Sequence, residues 1–301
     1  MLNLFLIFIA SLFFPGIIVR TKSLLSGRKG PGIWQPVYDY LRLFRKGAVY
    51  SHTATPIFRL APVIYFVSLL FAAFLVPFGS SRGIFSFDGD FIVFASLLSL
   101  GKFFLILMAL DTGSSFEGMG ASREALFSFL AEPAFFILLG SFALLTGHTS
   151  FYDIYSSFHF SGPISYALAA LAAYVLLLLA AVENSRLPVD DPKTHLELTM
   201  VHEVMILDNS GFDLGLVLYA GSLKFAVFGA LIANFFMEPS LAVYWLVPVF
   251  FAIQSLVAIV IGCIESFGAR FRMSHNAQFI FTLTAVGLLI FFGVLLMPMD
   301  F

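Results

Sequence analysis

The sequence predicts an all-α integral membrane protein, with about eight transmembrane helices and an amphipathic interfacial helix in the first charged loop. Three observations predict it: a mean hydropathy of +0.97, a composition 60% hydrophobic but 11% charged, and apolar runs of membrane-crossing length separated by short polar segments. Residues 1–301 read as a single polytopic membrane domain.

The expected spans cover roughly 2–19, 58–78, 91–110, 124–146, 164–182, 213–236, 241–262 and 277–298. Each is long enough for a hydrocarbon core of ~30 Å, and unsatisfied backbone polarity in lipid forces such segments to be helical. The first lacks a charged n-region and a small-residue cleavage site, so it reads as a retained helix. The fourth carries Glu124, Glu132 and Pro133 in its first half.

Positive charge sets the expected orientation. Loops 20–57, 111–123, 183–212 and 263–276, with adjoining span ends, hold thirteen Lys and Arg residues, whereas the opposite side holds Arg82 alone. The positive-inside rule then puts the long loops in the cytoplasm and both termini outside.

The remaining composition excludes several classes. A net charge of −2 offers no basic surface for nucleic acid, and the lone Cys263 permits neither an internal disulfide nor a thiolate metal cluster. No nucleophile–base pair or haem signature is present, so the chain by itself does not read as a catalyst.

The first inward loop contains "GRKGPG", which is turn chemistry ended by Pro31. Beyond it Trp34, Val37, Tyr38, Leu41 and Phe44 recur at helical spacing, with Asp39, Arg42, Arg45 and Lys46 on another face. That pattern describes a helix in the membrane interface, serving either as a simple surface helix or as a docking ledge for a soluble subunit. The second loop, "LDTGSSFEGMGASREA", reads as a Gly/Ser-rich connection ending in a helix start at Ser122. Its glycines match no nucleotide-binding pattern.

The third loop, "ENSRLPVDDPKTHLELTMVHE" (183–203), packs five acids, two histidines, an arginine and a lysine into 21 residues. His195 and His202 lie seven apart but do not form HExxH, so no metal site is expected. Interleaved Leu196, Leu198, Met200, Val201, Val204 and Met205 point to a segment folded back against protein rather than a solvated loop.

Lys102, Glu132 and Lys224 fall inside otherwise apolar spans, while Asp111, Glu124, Glu183 and Glu265 lie near the inward ends. A charge at mid-membrane costs about 2.5–3.5 kcal/mol on insertion scales, so these residues should face protein or a hydrated cavity and pair there. They fit either packing ion pairs or a proton or ion path.

Four ordered stretches then become recognisable: "GRKGPGIWQPVYDYLRLFRK", "LDTGSSFEGMGASREALFSFLAEP", "ENSRLPVDDPKTHLELTMVHE" with "SGFDLGL", and "ESFGARFRM". In order they resemble the motifs of the membrane-anchor subunit shared by respiratory complex I and energy-converting [NiFe] hydrogenases. The wording is most similar to the hydrogenase-4 and formate hydrogenlyase branch. The resemblance runs from about residue 20 to 275.

It implies a non-catalytic subunit that seats a soluble electron-transfer arm on the membrane and couples its redox reaction to proton or sodium translocation. Implied partners are the hydrogenase large and small subunits, a ferredoxin-like iron–sulfur subunit and antiporter-like membrane subunits. No cofactor is expected on this chain; nickel–iron and iron–sulfur centres belong to the partners. "ENSRLPVDDP" matches the family's charged loop and carries its role onto Glu183, Arg186, Pro188 and Asp190, while Glu197 and Glu132 match further family acids. The expected path comprises Glu132, Glu183, Asp190, Glu197, Glu203, Asp111, Lys102 and Lys224. The expected docking residues are Arg28, Trp34, Tyr38, Arg42, Arg186, His195 and His202. Lys193 and His195 stand where the quinone-reducing branch usually has acids. A quinone-binding subunit 1 of a proton-pumping NADH:quinone oxidoreductase is the alternative, and a stand-alone transporter is disfavoured by the lack of an internal repeat.

Overall fold

Residues 2–79, 81–158, 162–190, 200–237 and 242–296 are described by a computed structural model. The helices are α1 (Leu2–Leu25), α2 (Gln35–Phe44), α3 (Pro56–Leu75), α4 (Asp90–Asp111), α5 (Ser115–Thr146), α6 (Phe151–Ser157), α7 (Pro163–Glu183), α8 (His202–Met205), α9 (Gly211–Phe236), α10 (Val243–Phe267) and α11 (Met273–Leu295). Eight of them (α1, α3, α4, α5, α7, α9, α10 and α11) are long and apolar enough to cross a membrane.

Burial separates centre from rim. In α9, 78% of the most apolar window is buried, against 28% in α11, so α9 is the axle and α11 lies at the rim. α9 packs against α1, α2, α3, α7 and α10, while α11 leans on α5 and α7. Small residues make the close approaches possible: Gly229 of α9 receives the Gln254 side chain of α10, whose amide donates to the Ala226 carbonyl at 2.9 Å.

Loop chemistry fixes the two ends. At the end bearing the charged loops, Thr55 caps α3 by accepting from the Ile57 amide at 3.2 Å. Asp111 holds that cap in turn, accepting from the Thr55 amide at 2.8 Å and its hydroxyl at 2.7 Å. At the other end Asp90 accepts from the Phe151 amide at 2.7 Å, which ties α4 to α6, a short helix within a segment expected to be plain loop.

Two expectations need correction. The fourth span does not begin near 124: α5 starts at Ser115 and runs 32 residues without a break at Glu132 or Pro133. The glycines of "SFEGMG" lie within the helix rather than in a turn, and Gly120 serves close packing, since a Cβ on it would stand 2.2 Å from Val204 Cγ1 and 2.8 Å from the Val201 carbonyl. In α2 only part of the apolar stripe Trp34, Val37, Tyr38, Leu41 and Phe44 packs on the bundle. Tyr40 is buried, its hydroxyl 2.5 Å from Ser222 Oγ, and Phe44 lies on Gly215, while Tyr38 and Leu41 stay exposed.

The segment that joins α1 to α2 is pressed onto α1. A Cβ on Gly16 would meet the Ile33 carbonyl at 1.9 Å, and one on Gly30 would meet Ser23 Oγ at 1.8 Å. Glycine at both positions lets residues 30–34 cross the helix in contact with it.

Candidate functional site

The intramembrane charges converge. Lys102 of α4 projects to two carboxylates, Glu124 Oε1 of α5 at 3.1 Å and Glu183 Oε1 at the end of α7 at 3.0 Å. Lys224 of α9 reaches Glu183 from the other side, 3.4 Å from Oε2, and donates to the Glu183 carbonyl at 2.6 Å. Ser185 donates to Glu124 Oε2 at 3.0 Å. Lys102, Glu124 and Lys224 are buried, so this is an internal quartet of two ammoniums and two carboxylates. Its charges balance, as burial of ions demands.

Two cavities meet at Glu183. One, of about 30 Å³, runs along α4, α5 and α7 and is lined by Ser99, Lys102, Glu132, Phe135 and Glu183. That volume holds about one water. In its wall Glu132, half-buried on the flank of the bundle, accepts from the Ser99 hydroxyl at 2.6 Å. The other cavity, of about 370 Å³, lies towards the charged loops, lined by Tyr40, Tyr65, Glu183, Arg186, His202 and Phe225 among others. Glu183 therefore stands between a cavity beneath the charged end and a water-sized one that leads to Glu132.

The charged loops are locked around this entrance. Arg186 Nη1 is 3.1 Å from Glu265 Oε1 and its guanidinium lies 5.3 Å from the Phe225 ring centroid; Lys22 holds the other Glu265 oxygen at 2.8 Å. Asp190, buried, takes Arg270 on Oδ1 and the Val201 and His202 amides, each at 3.2 Å, on Oδ2. Arg123 donates to the Met200 carbonyl at 3.0 Å. α8 thus rests on α5 where Gly120 leaves room.

His202 lines the larger cavity, and burial is the main reason its imidazole is pushed down to about 4; the Glu124 carboxylate opposes this, while Lys224, Lys102 and Arg186 add to it. In the same cavity wall burial raises the Tyr40 hydroxyl above its ordinary range, its Ser222 bond opposing. Both groups are neutral near pH 7.

The sequence-predicted residues thus sort by place. Lys102, Lys224 and Glu183 come together, and Glu132 joins them through the small cavity. Asp190 and Arg186 stand in the loop lock, Glu203 on α8, and Asp111 apart from all of them at the α3 cap. Of the docking residues, Tyr38 and Arg42 are exposed on α2, and Arg28 and Trp34 on the segment before it. Glu197 and His195 lie outside the described residues. Glu124 and Glu265 had been noticed only as acids near span ends; their partners, Lys102 and Arg186, lie on other helices or loops, which no local pattern reveals. Among the described residues, no group of three or more His, Cys, Asp or Glu is arranged to hold a metal ion.

The comparisons agree on the lineage. The family model described as NADH dehydrogenase matches residues 1–296. Hydrogenase-4 component C of Escherichia coli is 32% identical over 226 residues, 74% of this chain and 70% of that protein. Formate hydrogenlyase subunit 4 of the same organism is 29% identical over 267 residues, 86% of this chain and 85% of that protein. In solved structures, a chain of the membrane-bound sulfane sulfur reductase, an archaeal respiratory membrane complex, shares the fold with a TM-score of 0.83 over 97% of both chains at 19% identity. The chain therefore belongs to the NADH dehydrogenase family, as a multi-pass membrane subunit homologous to those of hydrogenase-4 and formate hydrogenlyase.

Proposed function

We propose that this chain is the non-catalytic membrane subunit that seats the soluble arm of a hydrogenase-type complex and passes the energy of its redox reaction to ion translocation. The observation that carries the reading is the position of Glu183, shared by the cavity beneath the charged loops and the small cavity lined by Glu132. A charge change above the loops would alter the pairing of Glu183 with Lys102 and Lys224. A proton displaced there has a one-water route to Glu132 and from it to a neighbouring subunit. The balanced quartet offers no surplus negative charge to a dehydrated sodium ion, which supports the proton as the coupled ion.

In this reading α2 lies in the membrane interface, and its exposed Tyr38, Leu41, Arg42 and Arg45 form part of the ledge on which the arm sits. The charged loops face the cytoplasm and both termini lie outside. Arg186, Asp190 and His202 shape the loop surface under the arm, with Glu197, Glu203 and His195 in the same loop region. Nickel–iron and iron–sulfur centres reside in the hydrogenase large and small subunits and a ferredoxin-like subunit. Antiporter-like subunits receive the proton. Homology to hydrogenase-4 component C and formate hydrogenlyase subunit 4 supports this assignment.

The test is a pair of variants in the assembled complex, Glu183→Gln and Glu132→Gln. Both should leave subunit composition and uncoupled electron transfer near wild type while lowering ion translocation in sealed vesicles at least several-fold. Full translocation in Glu132→Gln would sink the route; loss of the soluble subunits in Glu183→Gln alone would make Glu183 a structural ion.

The larger cavity favours one competing reading. Its 370 Å³, with Tyr40, His202 and Phe225 in the wall, would fit a quinone ring. Protection of electron transfer by a quinone analogue that crosslinks within this cavity would replace the hydrogenase reading with a quinone-reducing one.

A further inference from the structure

We infer that the seam between α1 and α10 is a site for one acidic phospholipid, its acyl chain in the seam and its phosphate held by Arg28 and Lys29.

Two cavities lie along this seam, separate from the one that reaches Glu183. The lower, of about 410 Å³, is lined by Phe13, Ile17, Ile33, Trp34, Phe251 and Ser255, almost wholly apolar. The upper, of about 460 Å³, lies at the charged end of the same two helices and includes Lys22, Arg28, Lys29, Glu265 and Ser266. Residues 30–34 cross α1 against Gly16 and so wall this seam off from the Tyr40 and Glu183 cavity.

The charges in the upper cavity are unequal in availability. Lys22 is spent on Glu265 at 2.8 Å, and Arg186 holds the other oxygen of that carboxylate at 3.1 Å, so Glu265 has no free negative charge to repel an anion. Arg28 and Lys29 are exposed and make no ion pair among the described residues. Two free cations over a satisfied carboxylate attract an anion.

Spacing decides which anion. Phe13 in the lower cavity and Lys22 in the upper are nine residues apart on α1, about 13 Å along the helix. Half of a hydrocarbon core is about 15 Å. A soluble phosphate would fill only the top, and a protein loop would have no use for an apolar slot at that depth; a phospholipid fits both. Trp34 lines the lower cavity, packed against Phe13 with ring centroids 4.6 Å apart and planes at 67°, and it stays exposed, as an interfacial ring does.

Trp34 supplies its own reporter. The sequence has two tryptophans, Trp34 and Trp245, so Trp245→Phe leaves one. The full-length Trp245→Phe protein would be placed in phosphatidylcholine vesicles and titrated with acyl-brominated phosphatidylglycerol, or with brominated phosphatidylcholine of the same chains. The acidic lipid should quench Trp34 at about tenfold lower mole fraction. Arg28→Gln with Lys29→Gln should remove that preference, and Ser255→Phe, which fills the slot, should lower quenching by both lipids without changing the unfolding temperature. Equal quenching by the two lipids overturns the proposal. So does loss of the preference on adding inorganic phosphate, which would assign the cations to a free anion, and so does an unaltered preference in the double variant.

Discussion

Lys102 and Glu183 stand 3.0 Å apart although they come from the third and fifth spanning helices, and the same ammonium is 3.1 Å from Glu124 on the fourth. One lysine therefore staples three helices through two carboxylates, with Lys224 on the axial helix completing the set. Charge pairing here decides helix arrangement as well as chemistry.

Removing the staple should unbalance it. Lys102→Met leaves Glu124 with the Ser185 hydroxyl and no cation. Breaking a buried ion pair from one side costs about 3–5 kcal/mol, so the purified variant should unfold at a markedly lower temperature. Adding Glu124→Gln removes the stranded charge and should recover more than half of the loss. Equal loss in the single and double variants would show that the pair does not act as a unit.

Packing at α8 should be equally sensitive. Gly120→Ala puts a methyl 2.2 Å from Val204 Cγ1 and 2.8 Å from a backbone oxygen, an overpacking that costs about 1–3 kcal/mol. Limited proteolysis should then cut beside α8 faster. Gly140→Ala on the same helix, with open space around it, should be neutral or slightly stabilising. Matching behaviour of the two variants would refute a specific contact at Gly120.

pH should read out His202. Its ordinary value is about 6.5 and burial holds it at about 4 in the folded protein. Between these values the unfolded chain binds a proton that the folded protein refuses, so stability is full above pH 6.5 and falls as pH drops towards 4, by roughly 2–4 kcal/mol in total. His202→Gln should flatten that part of the stability profile, measured by thermal unfolding from pH 4 to 8. An unchanged slope would mean that other groups carry the acid sensitivity.

All eight spans were legible because hydropathy needs no partner: each apolar run must cross or be buried wherever its neighbours lie. Boundaries were less so. Gly120 carries the same letter whether it makes a turn or admits α8, and the tertiary contact decided it. Among the charges, Lys102 and Lys224 declared themselves by sitting in apolar runs, but Glu124 looked like an ordinary helix-end acid until α4 brought Lys102 beside it. Asp111, read with the path acids, turns out to accept from Thr55, a partner 56 residues earlier that no helical spacing links to it.

The quartet also bears on how the chain is made. Its members enter the membrane in the order Lys102, Glu124, Glu183, Lys224, each on a successive spanning helix. A solitary charge in lipid is costly, so α4 gains its first counter-ion only when α5 follows it, and Glu183 gains its second cation only with α9. Nascent chains halted between those helices should be retained at the insertion machinery, and release into the bilayer should coincide with synthesis of the last lysine.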